Sequence, residues 1–161
     1  MEKYVQPFID TCVNVFDEFA GLKIIPKPPY FADKDEEKSN WDVSGIIGLS
    51  GEAQGAVSVS MKMDFAKFIT KILLGDETVD DFENMIVDTV GELINIIAGN
   101  VKKELEDMYT LVISLPTIIQ GKDHATSYPN SGNRIICIPF VVNEKYTFVL
   151  TVVLKASKWK S

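Results

Sequence analysis

The chain has 161 residues, of which 46% are apolar and 24% are charged, and its formal net charge is −7. This composition is typical of a globular domain and excludes a disordered, collagen-like or disulfide-built protein. The acidic balance argues against the broad basic surface that nucleic acid or an anionic membrane requires, so we expect neither as a partner. At this length we expect one domain spanning residues 1–161.

The cellular setting is indicated by what the sequence lacks. The first residues have neither the basic nor the long apolar segment of an export signal, and the apolar runs are far shorter than a membrane span. We therefore expect a cytoplasmic protein. Cys12 and Cys137 fall in different predicted elements, which favours two buried apolar residues over a disulfide framework.

The first half of the chain predicts a helix, a loop and a β-hairpin. Apolar residues recur every three or four positions over residues 4–20, which predicts an amphipathic helix that Gly21 ends. Residues 27–40 contain prolines and a run of charges without apolar periodicity, and predict a loop. Residues 43–50 and 56–62 flank a glycine-containing turn and predict the two strands of a hairpin.

The second half predicts two helices and then strands. Residues 64–74 predict a short helix with Asp64 as its N-cap, and residues 80–106 carry the longest helical pattern of the chain. Short connections between strands favour antiparallel pairing, so the predicted fold class is α+β, an antiparallel β-sheet packed with long α-helices. Three late strands are predicted as a meander: residues 109–119, 134–142 and 146–155.

Common catalytic and metal sites find little support in the sequence. His124 is the only histidine and falls in a predicted surface loop, residues 121–132. One histidine and two separated cysteines do not supply the three or four clustered ligands of a zinc site. Neither a phosphate-binding glycine loop nor a serine nucleophile motif is present. We therefore expect no metal or cofactor in this chain.

The polar side of the long helix is the remaining candidate site. At about 100° per residue, Asn95, Asp88, Gly99 and Glu92 fall within an arc of about 60°, and Gly91 borders it. A glycine inside a helix costs about 1 kcal/mol relative to alanine, so we expect Gly91 and Gly99 to let another backbone approach. The alternative is that this side is simply the solvated face of an amphipathic helix.

The residues around this side form a longer pattern. Asp88, Glu92 and Asn95 give D-x-x-x-E-x-x-N, which residues 96–100 continue as I-I-A-G-N, and residues 114–117 later read S-L-P-T. The string resembles the signature of the CheC, CheX and FliY phosphatases of bacterial chemotaxis, and among these the CheX type. The resemblance covers almost the whole chain and implies long helices packed against an antiparallel sheet.

The resemblance also implies an activity, the hydrolysis of the aspartyl phosphate on a CheY-like response regulator. An acyl phosphate bound to Mg²⁺ is already activated, so a phosphatase chiefly has to place water in line. The neutral carboxamide of Asn95 is suited to orient that water, and by resemblance Glu92 pairs with the active-site lysine of the partner. Asp88, Gly91 and Gly99 are expected to contact the partner, which brings the Mg²⁺.

The sequence leaves the assembly and two other functions open. The first helix carries Asp10, Asn14 and Asp17, which do not reproduce the motif, so one site is expected, as in CheX-type proteins, which also implies a homodimer. Pro139 suggests an edge or bulged strand. The alternatives are a non-catalytic module that binds response regulators through the long helix, and a FliY-like structural subunit, which 161 residues leave little room for.

Overall fold

Three helices and eight strands make up the part of the chain that the structure, a computed structural model, describes: residues 1–32, 41–75, 82–124 and 134–157. The helices are α1 (Val5–Ala20), α2 (Met63–Leu74) and α3 (Phe82–Glu104). The strands are β1 (Ile24–Pro26), β2 (Tyr30–Ala32), β3 (Trp41–Gly51), β4 (Ala53–Met61), β5 (Leu111–Ile113), β6 (Thr117–His124), β7 (Ile135–Val142) and β8 (Tyr146–Ala156).

The strands form a single sheet in the order β1-β7-β8-β4-β3-β5, with β2 also pairing with β7 and β6 also pairing with β3. Every pairing is antiparallel. The three helices pack on the sheet, α1 near β1, α2 near β3 and β8, and α3 across β3 to β6. The predicted α+β class with long helices on an antiparallel sheet is confirmed.

Alternate residues of the central strands form the core beneath the helices. One transverse row runs Val43, Met61, Phe148 and Phe140 through β3, β4, β8 and β7, and all four side chains are fully buried. Phe148 stacks on the ring of Phe16 from α1, with the ring centroids 4.9 Å apart. This aromatic contact ties the first helix to the middle of the sheet, because stacked rings add stabilisation beyond burial alone.

Two details of the strand prediction are wrong. The predicted strand over residues 109–119 is two strands, β5 and β6, separated at residues 114–116, where Pro116 cannot donate to a ladder. The late strands are not a meander, because β5 and β6 pair with β3, while β7 and β8 form a hairpin elsewhere in the sheet. The part of the predicted 27–40 loop that the structure describes contains β2; residues 33–40 lie outside the described residues.

Pro139 lies inside the sheet and not at its edge, which corrects the edge prediction. β7 pairs with β8 on one side, and on the other side with β1 through residues 140–142 and with β2 through residues 135–137. The Pro139 carbonyl accepts a 2.8 Å hydrogen bond from the Lys27 amide. The two short strands leave a gap opposite Pro139, so the N–H that proline lacks interrupts no continuous ladder.

The start of α2 is capped from outside the helix, so the prediction of Asp64 as N-cap is wrong. The N-cap position is Lys62, whose side chain makes no capping hydrogen bond. Instead, Oδ2 of Asp42 on β3 accepts a 2.8 Å hydrogen bond from the Met63 amide, and Asp64 accepts one from the Phe65 amide. A carboxylate from the sheet thus satisfies a backbone donor of the first turn.

We expect Asp42→Ala to lower the free energy of unfolding by about 1 kcal/mol, the usual cost of removing a helix cap. Asp42→Asn keeps an acceptor oxygen and should recover most of that loss. Urea unfolding followed by circular dichroism measures both variants. Equal stability of the alanine variant and the parent would show that the bond from β3 does not stabilise α2.

Both cysteines are buried and neither is in a disulfide, as predicted. Burial raises the pKa of the Cys12 thiol above its ordinary value, so Cys12 stays protonated at neutral pH. Cys137 packs with Ile135, Val149 and Val153 in a small second cluster. Both cysteines therefore serve as buried packing residues.

Candidate functional site

Helix α3 is anchored to the sheet along one side. Val90, Ile94 and Ile97 are fully buried, and the helix lies close to β3 at Gly45. A Cβ built on Gly45 would lie 3.1 Å from carbon atoms of both Val90 and Ile94, which is tighter than ordinary packing. The absence of a side chain there allows α3 to approach the sheet, which fixes the direction of its opposite side.

The opposite side of α3 carries the residues that the sequence singles out. Asp88, Glu92 and Asn95 are exposed, and Gly99 is half-buried. We call these four residues the α3 polar face. The segment is helical throughout, and the expected exposure of Glu92 and Asn95 is confirmed.

Glu92 and Asn95 project as neighbours from this face. Residues three apart in a helix are separated by about 4.5 Å along the axis and about 60° around it. Within the described part of the chain, neither side chain has a hydrogen-bond or ion-pair partner. A carboxylate and a carboxamide are therefore held side by side on a rigid helix, with their polar atoms available to another molecule.

Asp88 and Glu92 place two negative charges one turn apart. Like charges at this spacing destabilise a helix by about 0.2–0.5 kcal/mol. Neither carboxylate is within ion-pair distance of a described Lys or Arg. Among the described residues this anionic pair thus has no counter-ion, and a cation from another molecule would offset the repulsion.

The two helix glycines differ in their surroundings. Gly91 is buried, and a Cβ built there would lie 3.6 Å from the Cδ1 atom of Ile118 on β6. The expectation that Gly91 borders the exposed side is therefore wrong, because β6 packs against that side of the helix. A Cβ on Gly99 would meet nothing within 4 Å, so nothing described in the fold requires a glycine at position 99.

A short loop bounds the face on the side of Gly91. The Ser114 amide donates a 3.0 Å hydrogen bond to the Gly48 carbonyl, and its hydroxyl accepts a 2.8 Å bond from the Gly48 amide. These bonds pin residues 114–116 to β3. They leave Leu115 87% exposed, and the ring of Pro116 lies near Gly91.

A groove lies on the other side of the face, between the three helices. Its volume is about 240 Å³, and we call it the three-helix groove. Among the described residues that line it, Glu92 is the one that carries a charge, and the others are apolar side chains of α1, α2 and α3. The sequence did not reveal this groove, because its walls come from three separate amphipathic patterns.

Other sequence candidates lie elsewhere. Asp10, Asn14 and Asp17 are exposed on α1, where Asp10 accepts a bond from Gln6. His124 ends strand β6, opposite Trp41, so the prediction of a loop at that position is wrong; residues 125–132 of the predicted loop lie outside the described residues.

Among the residues that the structure describes, His, Cys, Asp and Glu form no group of three or more that could hold a metal ion. None of the helices described is both long and apolar enough to cross a membrane.

The fold and the α3 polar face define a class of protein in which a helix anchored in the core carries D-x-x-x-E-x-x-N on its exposed side. The family model described as chemotaxis phosphatase CheX matches residues 43–141, which include the whole motif. The chain therefore belongs to the CheX family of chemotaxis phosphatases.

Individual relatives agree with this family. The CheY-P phosphatase CheX of Thermotoga maritima is 27% identical over 79 residues, which cover 48% of this chain and 51% of that protein. The match thus spans about half the length of this curated relative. The crystal structure of CheX from Desulfovibrio desulfuricans has a TM-score of 0.86 at 29% identity, covering 96% of this chain and 100% of that one.

A third comparison concerns the fold. CheX from Borrelia burgdorferi, solved in a complex with CheY, BeF₃ and Mg²⁺, has a TM-score of 0.79 at 24% identity, covering 95% of this chain and 98% of that one. Its helices and sheet are arranged as in the present structure.

Proposed function

We propose that this chain is a cytoplasmic phosphatase that accelerates hydrolysis of the aspartyl phosphate on a CheY-like response regulator. One observation carries the proposal. In a chain of the CheX family, Glu92 and Asn95 stand exposed and unpaired, within the described residues, on a helix whose other side is locked into the core. The CheY-P activity of the Thermotoga relative supports the same substrate class.

Asn95 is the proposed catalytic residue. Its side-chain oxygen accepts a hydrogen bond from water and holds that water in line with the phosphorus atom. A carboxamide is neutral, so it does not repel the phosphoryl oxygens as a carboxylate would. GTPases use glutamine in the same task.

Glu92 has a separate proposed task. Its carboxylate pairs with the active-site lysine of the response regulator, in a charge-assisted contact that fixes the partner against α3. Asp88 contributes to the same attraction one turn earlier. The Mg²⁺ that neutralises the phosphoryl group belongs to the response regulator in this proposal, and this chain supplies no cofactor.

Gly99, which has no side chain, is proposed to let the response regulator approach the backbone of α3 closely. We expect Gly99→Ala to raise the free energy of unfolding by about 1 kcal/mol through helix propensity, because the new methyl group meets no described atom within 4 Å. The same methyl group should obstruct the partner and raise KM severalfold. Urea unfolding and steady-state dephosphorylation measure the two opposite effects.

Gly91→Ala is the matched control. Its methyl group would contact Ile118 at 3.6 Å, an ordinary packing distance, so stability should rise similarly while KM stays unchanged. If both alanine variants keep the parental KM, Gly99 does not lie in the interface.

The proposal includes a homodimer, as the resemblance to CheX implies. Sedimentation at micromolar concentration should give twice the 17.9 kDa mass of the chain. A mass of one chain would contradict the dimer, but it would not bear on the role proposed for the α3 polar face.

The alternative function is a non-catalytic module that binds response regulators through the same helix. The two functions differ in turnover. A phosphatase releases many phosphates per chain from an excess of phosphorylated response regulator, whereas a binding module alters at most the fraction of regulator to which it is bound.

A further inference from the structure

The three-helix groove opens beside the α3 polar face and shares Glu92 with it. Leu93 and Ile96 of the same helix also line the groove. Because Glu92 and Asn95 lie within one helical turn, a partner whose phosphoaspartate reached Asn95 would lie next to the groove.

The groove leaves large apolar side chains in contact with solvent. Phe19 at the end of α1 is 49% exposed and Leu73 at the end of α2 is 38% exposed, whereas Phe16 and Ile69 behind them are fully buried. Single exposed apolar residues are common on proteins. Here two of them line one concave site beside the residues proposed to bind a partner, which is the arrangement of an interface pocket.

The size of the groove indicates what enters it. Its volume of about 240 Å³ is below the ~300–1,000 Å³ of typical small-molecule sites. One protruding side chain fits better than a cofactor. The described lining residues other than Glu92 are apolar, so that side chain should itself be apolar.

We propose that the three-helix groove receives an apolar side chain of the response regulator, located on its surface beside the phosphorylated aspartate and the active-site lysine. The proposal rests on the proposed function, because it places this contact next to Glu92 and Asn95. The regulator is then held by two unlike contacts, an ion pair at Glu92 and an apolar anchor between Phe19 and Leu73.

Charge favours the regulator over a second copy of this chain as the occupant. A two-fold interface brings the same patch of both copies together. At this groove, it would bring the Glu92 and Asp88 carboxylates of both copies close to one another, and like charges across an interface are unfavourable. A partner that presents a lysine beside an apolar side chain meets both requirements of the surface.

The test compares Phe19→Ala and Leu73→Ala with the control Ile25→Ala. Ile25 is 55% exposed on β1, at the sheet edge opposite β5. The two test positions are helical and exposed, so alanine should preserve the fold. Steady-state dephosphorylation gives kcat and KM, and titration with the beryllofluoride-loaded regulator gives Kd.

We expect each groove variant to raise KM and Kd about tenfold, the loss typical of an interface anchor, with kcat within twofold of the parent. Ile25→Ala should match the parent. If KM and Kd stay parental in both groove variants while Asn95→Ala is inactive, the groove proposal fails and the proposed function stands. If Asn95→Ala is fully active, the proposed function fails. If the groove variants have half the solution mass of the parent and the parental Kd for the regulator, the groove proposal also fails, and the groove is an interface between copies of this chain.

Discussion

Asn95→Ala is expected to bind the phosphorylated response regulator with nearly parental affinity and to hydrolyse its phosphate at least about 10²-fold more slowly. Loss of the carboxamide leaves the attacking water without its positioning group, and misplacing a reactant commonly costs rate by this factor. Alanine is a better helix former than asparagine, and the site is exposed, so the fold should be at least as stable.

Asn95→Asp sharpens the same prediction. Aspartate has nearly the size and shape of asparagine, yet it adds a negative charge beside the phosphoryl oxygens. We expect it to be about as slow as the alanine variant, since the geometry is kept but the added charge repels the phosphoryl oxygens. Phosphate release and affinity for the beryllofluoride-loaded regulator should be followed together, and a parental rate in Asn95→Ala would reduce α3 to a docking surface.

Glu92→Ala is expected to weaken both binding and turnover. Removal of a dehydrated charge-assisted contact costs about 1.5–3 kcal/mol, which corresponds to roughly 10- to 150-fold in affinity. The affinity of the parent should fall as salt is added, and that of the variant should fall less. Isothermal titration over a series of salt concentrations measures both effects.

Two further variants separate a specific contact from general attraction. Glu92→Gln keeps the wall of the three-helix groove and removes only the charge. Asp88→Asn removes the same charge one turn away. We expect Glu92→Gln to lose clearly more affinity for the regulator than Asp88→Asn. Equal losses would show that Glu92 acts only through the overall negative charge of this surface and not through a specific ion pair.

The sequence predicts the long elements well because their apolar periodicity is strong. The helices at residues 4–20 and 64–74 agree with α1 and α2 to within a residue at each end. Strands β1 and β2 were beyond prediction because each has three residues and lies beside prolines. Such short edge strands are defined by their partner β7, which lies more than a hundred positions away.

The candidate site was likewise predictable where helical periodicity defines it and unpredictable where long-range strand pairing does. Helical geometry alone places Glu92 and Asn95 on the exposed side of α3, because the buried stripe opposite them is continuous. Gly91 was misplaced because β6 packs against α3 at Ile118, next to the contact that α3 makes with β3 at Gly45. The second contact depends on the break at Pro116 and on the pairing of β6 with β3, which periodicity does not encode.

The central claim is that this chain turns over the phosphorylated regulator, and phosphate release under multiple-turnover conditions tests it most directly. The regulator is phosphorylated with a small-molecule phosphodonor, the donor is removed, and phosphate is measured with the chain present at about one hundredth of the regulator concentration. We predict that the chain releases many phosphates per molecule above the spontaneous rate and that Asn95→Ala does not. A lifetime of the phosphorylated regulator that is unchanged by the parental chain at this ratio would contradict the claim.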